Sequence, residues 1–180
     1  MTLEEFINNT VIDEIGIMVS TPRLKYLSFL VMSSAIEFLG ACLDNKPFHT
    51  IGRSQTRFKK AINEIQALSN YRRFLSKGSG IDLYTELRCG LSHSALPKPN
   101  IELTELRDPV AGSMHLQVQQ LKTRPNPRLI LVCEDLYNDI SLAATEVIAE
   151  LKNPGKYHHN ATDPFMLTDI EKTYVSETST

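Results

Sequence analysis

Leu3, Ile7, Val11, Ile15 and Met18 recur three or four positions apart, with Glu4, Glu5, Asp13 and Glu14 mostly off the stripe, which predicts a first amphipathic helix. Thr21-Pro22 reads as a cap followed by proline at a first helical position. A second helix then runs to about Leu43, presenting Leu27, Leu30, Val31, Phe38, Leu39 and Cys42. It is apolar on most sides, which makes it the expected central helix. Asp44 to Gly52 reads as a loop, and a third helix from about Ser54 to Phe74 turns Phe58, Ile62, Ile65 and Leu68 inward. Gly78 and Gly80 break the chain before Ile81, Tyr84, Leu87 and Leu91 set a short helix that Pro97 and Pro99 close. Ser79 or Asp82 is placed to cap its start.

The texture then changes. Residues 101–106 and 116–121 alternate at period two over part of their length, and 128–133 is a compact apolar run. These predict short strands joined by turns at Asp108-Pro109 and Arg124 to Pro127. From Glu134 to Lys152 the helical period returns, with Leu136, Ile140, Ala143, Ala144, Val147 and Leu151, until Asn153-Pro154-Gly155 stops it. The expectation is a mainly α chain: a bundle of four or five helices over 1–153, a small antiparallel β insert at 101–133, and a C-terminal tail at 154–180.

Composition narrows the functional classes. The 180 residues suit one domain, and 42% hydrophobic content supplies a core. A net charge of −2 gives no global field toward nucleic acid or membrane, so any such contact needs a local patch. Cys42, Cys89 and Cys133 are odd in number and widely spaced, which argues for a reducing compartment rather than a disulfide framework or zinc knuckle. The acidic MTLEEF start is unlike a secretory leader, and Lys25, Ser33, Ser34 and Glu37 interrupt the apolar stretch after Leu24, so a cytoplasmic protein without a membrane span is expected. No GxxxxGK[ST] or GxGxxG occurs, which disfavours nucleotide hydrolysis and a dinucleotide fold.

The candidate chemistry lies late in the fourth helix. Arg88 is followed, after Cys89, Gly90, Leu91 and Ser92, by His93. This spacing on a terminated helix, in an otherwise helical chain, resembles the Arg-x4–6-His signature of the HEPN superfamily. The resemblance covers the layout up to Lys152. It implies a HEPN-like bundle and an RNA-directed protein, a metal-independent endoribonuclease of toxin or defence type. His93 would then be general base or acid and Arg88 the electrostatic clamp on the phosphate. Such a division suits the side chains: imidazole titrates near working pH, and guanidinium is always charged and grips two oxygens.

The resemblance also implies a homodimer in which two motif helices meet, and an antitoxin or other protein partner. Five residues along a regular helix is a rotation of about 140°, so the two motif side chains diverge unless the helix ends or a second copy completes the groove. Where HEPN nucleases carry Asn, Asp or His after the arginine, this chain has Cys89, and Ser92 is the polar candidate to replace it. Glu37, among apolar residues of the second helix, needs a partner if buried, and Arg88 is the candidate. The same Arg–His pair also suits a structural role, capping carbonyls at a helix C-terminus.

Other clusters carry less. Arg53, Arg57, Lys59, Lys60, Arg72 and Arg73 give the third helix a basic face, with Phe58, Tyr71 and Phe74 nearby, which suits an RNA backbone or simply a solvated helix face. Cys89 and His93 share a helix face, but a thiol nucleophile or a zinc site needs further groups, and no metal or cofactor is expected. His158-His159 reads as polar surface. The competing functional class is a non-catalytic interaction or RNA-binding module on the same fold.

Overall fold

The computed structural model describes residues 2–76, 78, 80–106, 114–120 and 127–153. The turn at Asp108-Pro109, Ser79, the His158-His159 pair and the tail 154–180 lie outside them. The protein is mainly helical with a small three-stranded sheet.

The first rod, α1, runs over 3–20 as an α turn Leu3–Phe6, a π-wound segment Ile7–Glu14 and an α segment Ile15–Ser20. Its buried stripe is Leu3, Ile7, Val11, Ile15 and Val19, a strict repeat of four in which Val19 replaces the expected Met18. A repeat of four outruns 3.6 residues per turn, and the wider i→i+5 winding of the π segment takes up the drift. A Thr2–Glu5 capping box starts the rod. Thr21-Pro22 lies in a tight turn, and α2 begins later, spanning Lys25–Cys42.

As expected, α2 is central, burying Phe29, Met32, Ile36, Leu39 and Cys42. Leu27, assigned inward from the sequence, is instead exposed. Among the described residues α2 is the one helix long and apolar enough to cross a membrane, and 61% of that window is buried in protein.

The predicted third helix is two elements. α3 spans Ser54–Glu64, Ile65 is extended at φ −82°, ψ 125°, and a 3-10 helix follows over Gln66–Phe74. The break is stabilised from outside: the Glu146 carboxylate accepts the Gln66 and Ala67 N–H groups, at 2.9 Å and 3.2 Å for its Oε2. Three residues per turn then stack Leu68, Tyr71 and Phe74 on one buried side.

The motif helix, α4, is π-wound over Tyr84–Cys89 and α-helical over Gly90–Ser94, ending at Ala95 in the left-handed region. At the last helix, Val132 is extended and α5, Cys133–Lys152, follows directly.

The sheet differs from the all-antiparallel expectation. Strands β1 (Ile101–Thr104), β2 (Val118–Gln119) and β3 (Arg128–Val132) lie in the order β1-β3-β2, with β1 parallel and β2 antiparallel to β3. The connection over 105–127 is long enough to carry the chain across for parallel pairing. β3 is central and buried almost throughout, and Ile101, Leu116, Leu129 and Leu131 join the helical core. The insert is therefore part of the one core.

The close approach of α2 and α3 fixes the frame. A Cβ on Gly40 would lie 1.8 Å from the Arg57 carbonyl oxygen, so only glycine fits. Behind that contact Arg57 is 5% exposed and Asp44 3%. Arg57 Nε donates to Asp44 Oδ2 at 3.1 Å, and its terminal nitrogens donate to the carbonyls of Lys46, Pro47 and Phe48 at 3.0, 2.6 and 2.6 Å. One guanidinium thus shapes the loop between the helices. Burial acts to raise the Asp44 carboxyl, but Arg53 and Arg57 outweigh it and hold the group below its ordinary value.

Arg57→Met is expected to cost about 3 kcal/mol, because buried Asp44 keeps only Arg53 and three loop carbonyls lose their donor; urea denaturation checks this. The Asp44 carboxyl titrates lower in the folded than in the unfolded chain. Its stabilisation is complete above an unfolded value of about 3.9 and is lost as pH falls through the folded value. Denaturation midpoints measured down through pH 4 are expected to fall less steeply in Asp44→Asn than in the wild type.

Candidate functional site

Glu37 on α2, Ser54 at the start of α3, and Tyr84 and Arg88 on α4 converge at the outer edge of the three-helix junction. Arg88 Nε donates to Glu37 Oε2 at 2.7 Å, and the Ser54 hydroxyl donates to the same oxygen at 2.6 Å. The Tyr84 hydroxyl donates to Ser54 Oγ at 3.0 Å. Each side chain of the Arg88–Glu37 pair is 20% exposed, so the guanidinium is neither sealed in nor free. Nε is its one bonded nitrogen within the described protein, which leaves the two terminal nitrogens as open donors.

The π winding matters here. It sets Tyr84 and Cys89, five residues apart, side by side. Burial raises the Tyr84 phenol, opposed by the Ser54 hydrogen bond and reinforced by a hydrogen bond with Cys89. Phe58 packs edge-on against the Tyr84 ring at 5.6 Å. Cys89 thus lies against the Tyr84 side. Among the described residues it makes no hydrogen bond or ion pair with His93.

His93 and Ser92 are exposed on the last turn of α4. The turn is held at its end: Tyr26 donates to the Ala95 carbonyl at 2.6 Å, and the chain folds back so that a Cβ on Gly90 would sit 2.8 Å from the Leu96 oxygen. Gly90 within the motif is therefore required by this fold-back. No hydrogen bond or ion pair joins His93 to Arg88 among the described residues. The structure brings the expected Glu37 and Arg88 together and leaves the imidazole apart, further along the same helix.

The expected basic face is dispersed. Arg57 points inward, as do the aromatic side chains of Phe58, Tyr71 and Phe74, so none of these four can line an exposed RNA track. Arg53 pairs with Asp44 at 3.3 Å and Lys60 with Glu64 at 2.7 Å. Together with Lys59 they line an open groove of about 780 Å³. Arg72 and Arg73 lie at a different cleft, beside β2. The physical cause is the break at Ile65, which turns the second half of the predicted helix onto another face.

No family model, curated protein or solved structure matches this chain. The geometry stands by itself.

Sequence reasoning missed Ser54 and Tyr84 as members of the site, because a serine at a helix start reads as a cap and a tyrosine on an apolar stripe as core. It also missed a second polar cluster. Tyr71 donates to Asp139 Oδ2 at 2.6 Å and meets His115 Nε2 at 2.9 Å, while His115 Nδ1 accepts the Val132 N–H at 3.0 Å. That cluster ties the 3-10 helix, the sheet and α5 together. Burial, reinforced by Asp139, pushes the Tyr71 phenol well up. Among the described residues no three His, Cys, Asp or Glu side chains gather as a metal site.

Glu37→Gln is expected to free the Arg88 side chain: its Nε–H proton, slowly exchanging in the wild type, exchanges at a solvent-like rate in the variant. The associated loss of stability is about 1–2 kcal/mol. Unchanged exchange in the variant shows that Glu37 does not orient Arg88.

Proposed function

We propose that this chain is a HEPN-like RNA-directed protein whose Arg88 and His93 form a metal-independent endoribonuclease site. The observation that carries the reading is the state of Arg88. It is gripped from one side by Glu37 Oε2 and keeps its terminal nitrogens open at a solvent edge, on the helix that presents an exposed His93. A fixed fork binds a phosphodiester with little ordering cost, and an exposed imidazole can exchange protons with the ribose 2′-hydroxyl and the leaving 5′-oxygen.

The distance along the helix between the two groups calls for a second copy. Tyr26, bonded to the Ala95 carbonyl at the end of α4, is exposed, as are its chain neighbour Leu27 and, next to Ala95, Leu96; we take them as an apolar rim. An apolar rim next to polar site groups suits a twofold contact, in which His93 of one subunit faces Arg88 of the other across one groove. An antitoxin or other protein partner fits the same rim. Three free cysteines fit a reducing, cytoplasmic setting.

A different observation favours the non-catalytic binding module. Cys89, in the position after the arginine, lies beside Tyr84 rather than facing His93, and the exposed Ser92 makes no hydrogen bond within the described protein. One set of experiments separates the two readings. RNA incubated without divalent metal is expected to be cleaved by the wild type, with His93→Ala slower by about a hundredfold or more. Equal cleavage by both, or by neither, removes the enzyme reading. By sizing with light scattering, the wild type is expected as a dimer and Leu27→Glu as a monomer; a monomeric wild type at micromolar concentration removes the shared groove.

A further inference from the structure

A second site is built where the 3-10 helix meets the sheet, away from the motif helix. Ser69, Asn70, Arg72, Arg73, His115 and Leu116 line a cleft of about 560 Å³, and no carboxylate is among them. Neither arginine is in an ion pair among the described residues. Arg72 is held by one bond, from Nε to the Ile62 carbonyl at 3.1 Å. Arg73 is held by one bond, from Nη2 to the Leu116 carbonyl at 2.7 Å, and lies over the Phe74 ring at 4.6 Å. Each guanidinium is thus oriented through a single nitrogen, and among the described residues its remaining donors make no hydrogen bond.

The nearby carboxylate is kept from them. His115 Nδ1 accepts the Val132 N–H, so in the neutral ring the proton is on Nε2, which donates to the Tyr71 oxygen. Tyr71 in turn donates its hydroxyl hydrogen bond to Asp139. The Asp139 charge is thereby engaged by a phenol and an imidazole. A helix C-terminus favours cations, but that preference alone does not bring two guanidinium groups, anchored on carbonyls of other elements, to one cleft.

Two adjacent permanent charges that meet no carboxylate among the described residues suit an anion, and the planar fork of arginine matches tetrahedral oxyanions. The cleft has the size of a small-molecule site rather than of a groove that follows a polymer. Ser69 and Asn70 add a hydroxyl and an amide. We propose that this cleft binds the terminal phosphate dianion of a phosphate monoester, such as a nucleoside 5′-monophosphate. The phosphorylated 5′ end of an RNA presents the same group. The proposal does not depend on Arg88 or His93.

The full chain is titrated calorimetrically with inorganic phosphate, uridine 5′-monophosphate and uridine. Short oligoribonucleotides with and without a 5′-phosphate follow. Phosphate and the monophosphate are expected to bind and to compete, and uridine to give no heat. Arg72→Gln and Arg73→Gln are each expected to weaken binding about tenfold or more, and Lys152→Gln, at an exposed pair with Glu4 outside both sites, to leave it unchanged. If Arg73→Gln loses its helical circular dichroism, the exposed Asn70→Ala replaces it, with an expected loss of a few-fold. Tighter binding of the 5′-phosphorylated oligonucleotide than of the monophosphate assigns the phosphate to an RNA end, and the reverse assigns it to a small molecule. The proposal is overturned by no binding at millimolar phosphate or monophosphate, by binding insensitive to the cleft variants, by an equal loss in Lys152→Gln, or by equal affinity for both oligonucleotides.

Discussion

The contact between α2 and α3 at Gly40 is the constraint on which the candidate site depends. With no side chain at Gly40, the Arg57 carbonyl comes within reach of the α2 backbone, and the two helices lock at one register. On one side of that point Asp44 meets the buried Arg57 guanidinium; on the other, Glu37 meets Ser54. The motif helix docks onto this pair through Tyr84 and Arg88. A shift of α3 along α2 by one turn would separate Ser54 from Glu37 and leave Arg88 with a different anchor.

Cations in this protein are spent in two distinct ways. Arg53, Arg57 and Lys60 meet acidic side chains, and Arg57 also closes three loop carbonyls, so these groups hold structure together. Arg88, on the Glu37 carboxylate, and Arg72 and Arg73, on backbone carbonyls, are each anchored through one nitrogen, and their others make no hydrogen bond among the described residues. An anchored but unsaturated guanidinium has lost most of its side-chain freedom before any ligand arrives, which lowers the ordering cost of binding. That is the common physical feature of the two sites proposed, one at the end of α4 and one beside β2.

Helix winding is the second theme. The π segments in α1 and α4 and the 3-10 helix after Ile65 each change which residues share a face. In α1 the π turn keeps a four-residue stripe in line; in α4 it joins Tyr84 to Cys89; in the 3-10 helix it stacks Leu68, Tyr71 and Phe74. Each departure from 3.6 residues per turn is paired with a packing or hydrogen-bonding gain elsewhere, as Glu146 on α5 is with the N–H groups at Gln66 and Ala67.

The spacing of apolar residues was enough to locate the helices, the central place of α2, the strand region and the start of α5 close to its observed residue. These are local properties, set by periodicity and by proline and glycine breaks, and a reading of neighbours recovers them. The partnership of Glu37 with Arg88 was also legible, because a carboxylate among apolar residues has few ways to be satisfied. Sheet order, the parallel pairing of β1 with β3, the break at Ile65 and the inward turn of Arg57 were not. Each is decided by groups distant in sequence: Glu146 at the break, Asp44 and three loop carbonyls around Arg57, and the β3 backbone that pairs with β1. A stretch of chain carries its own period, but the partner that satisfies a buried donor or charge is chosen only when the whole chain closes.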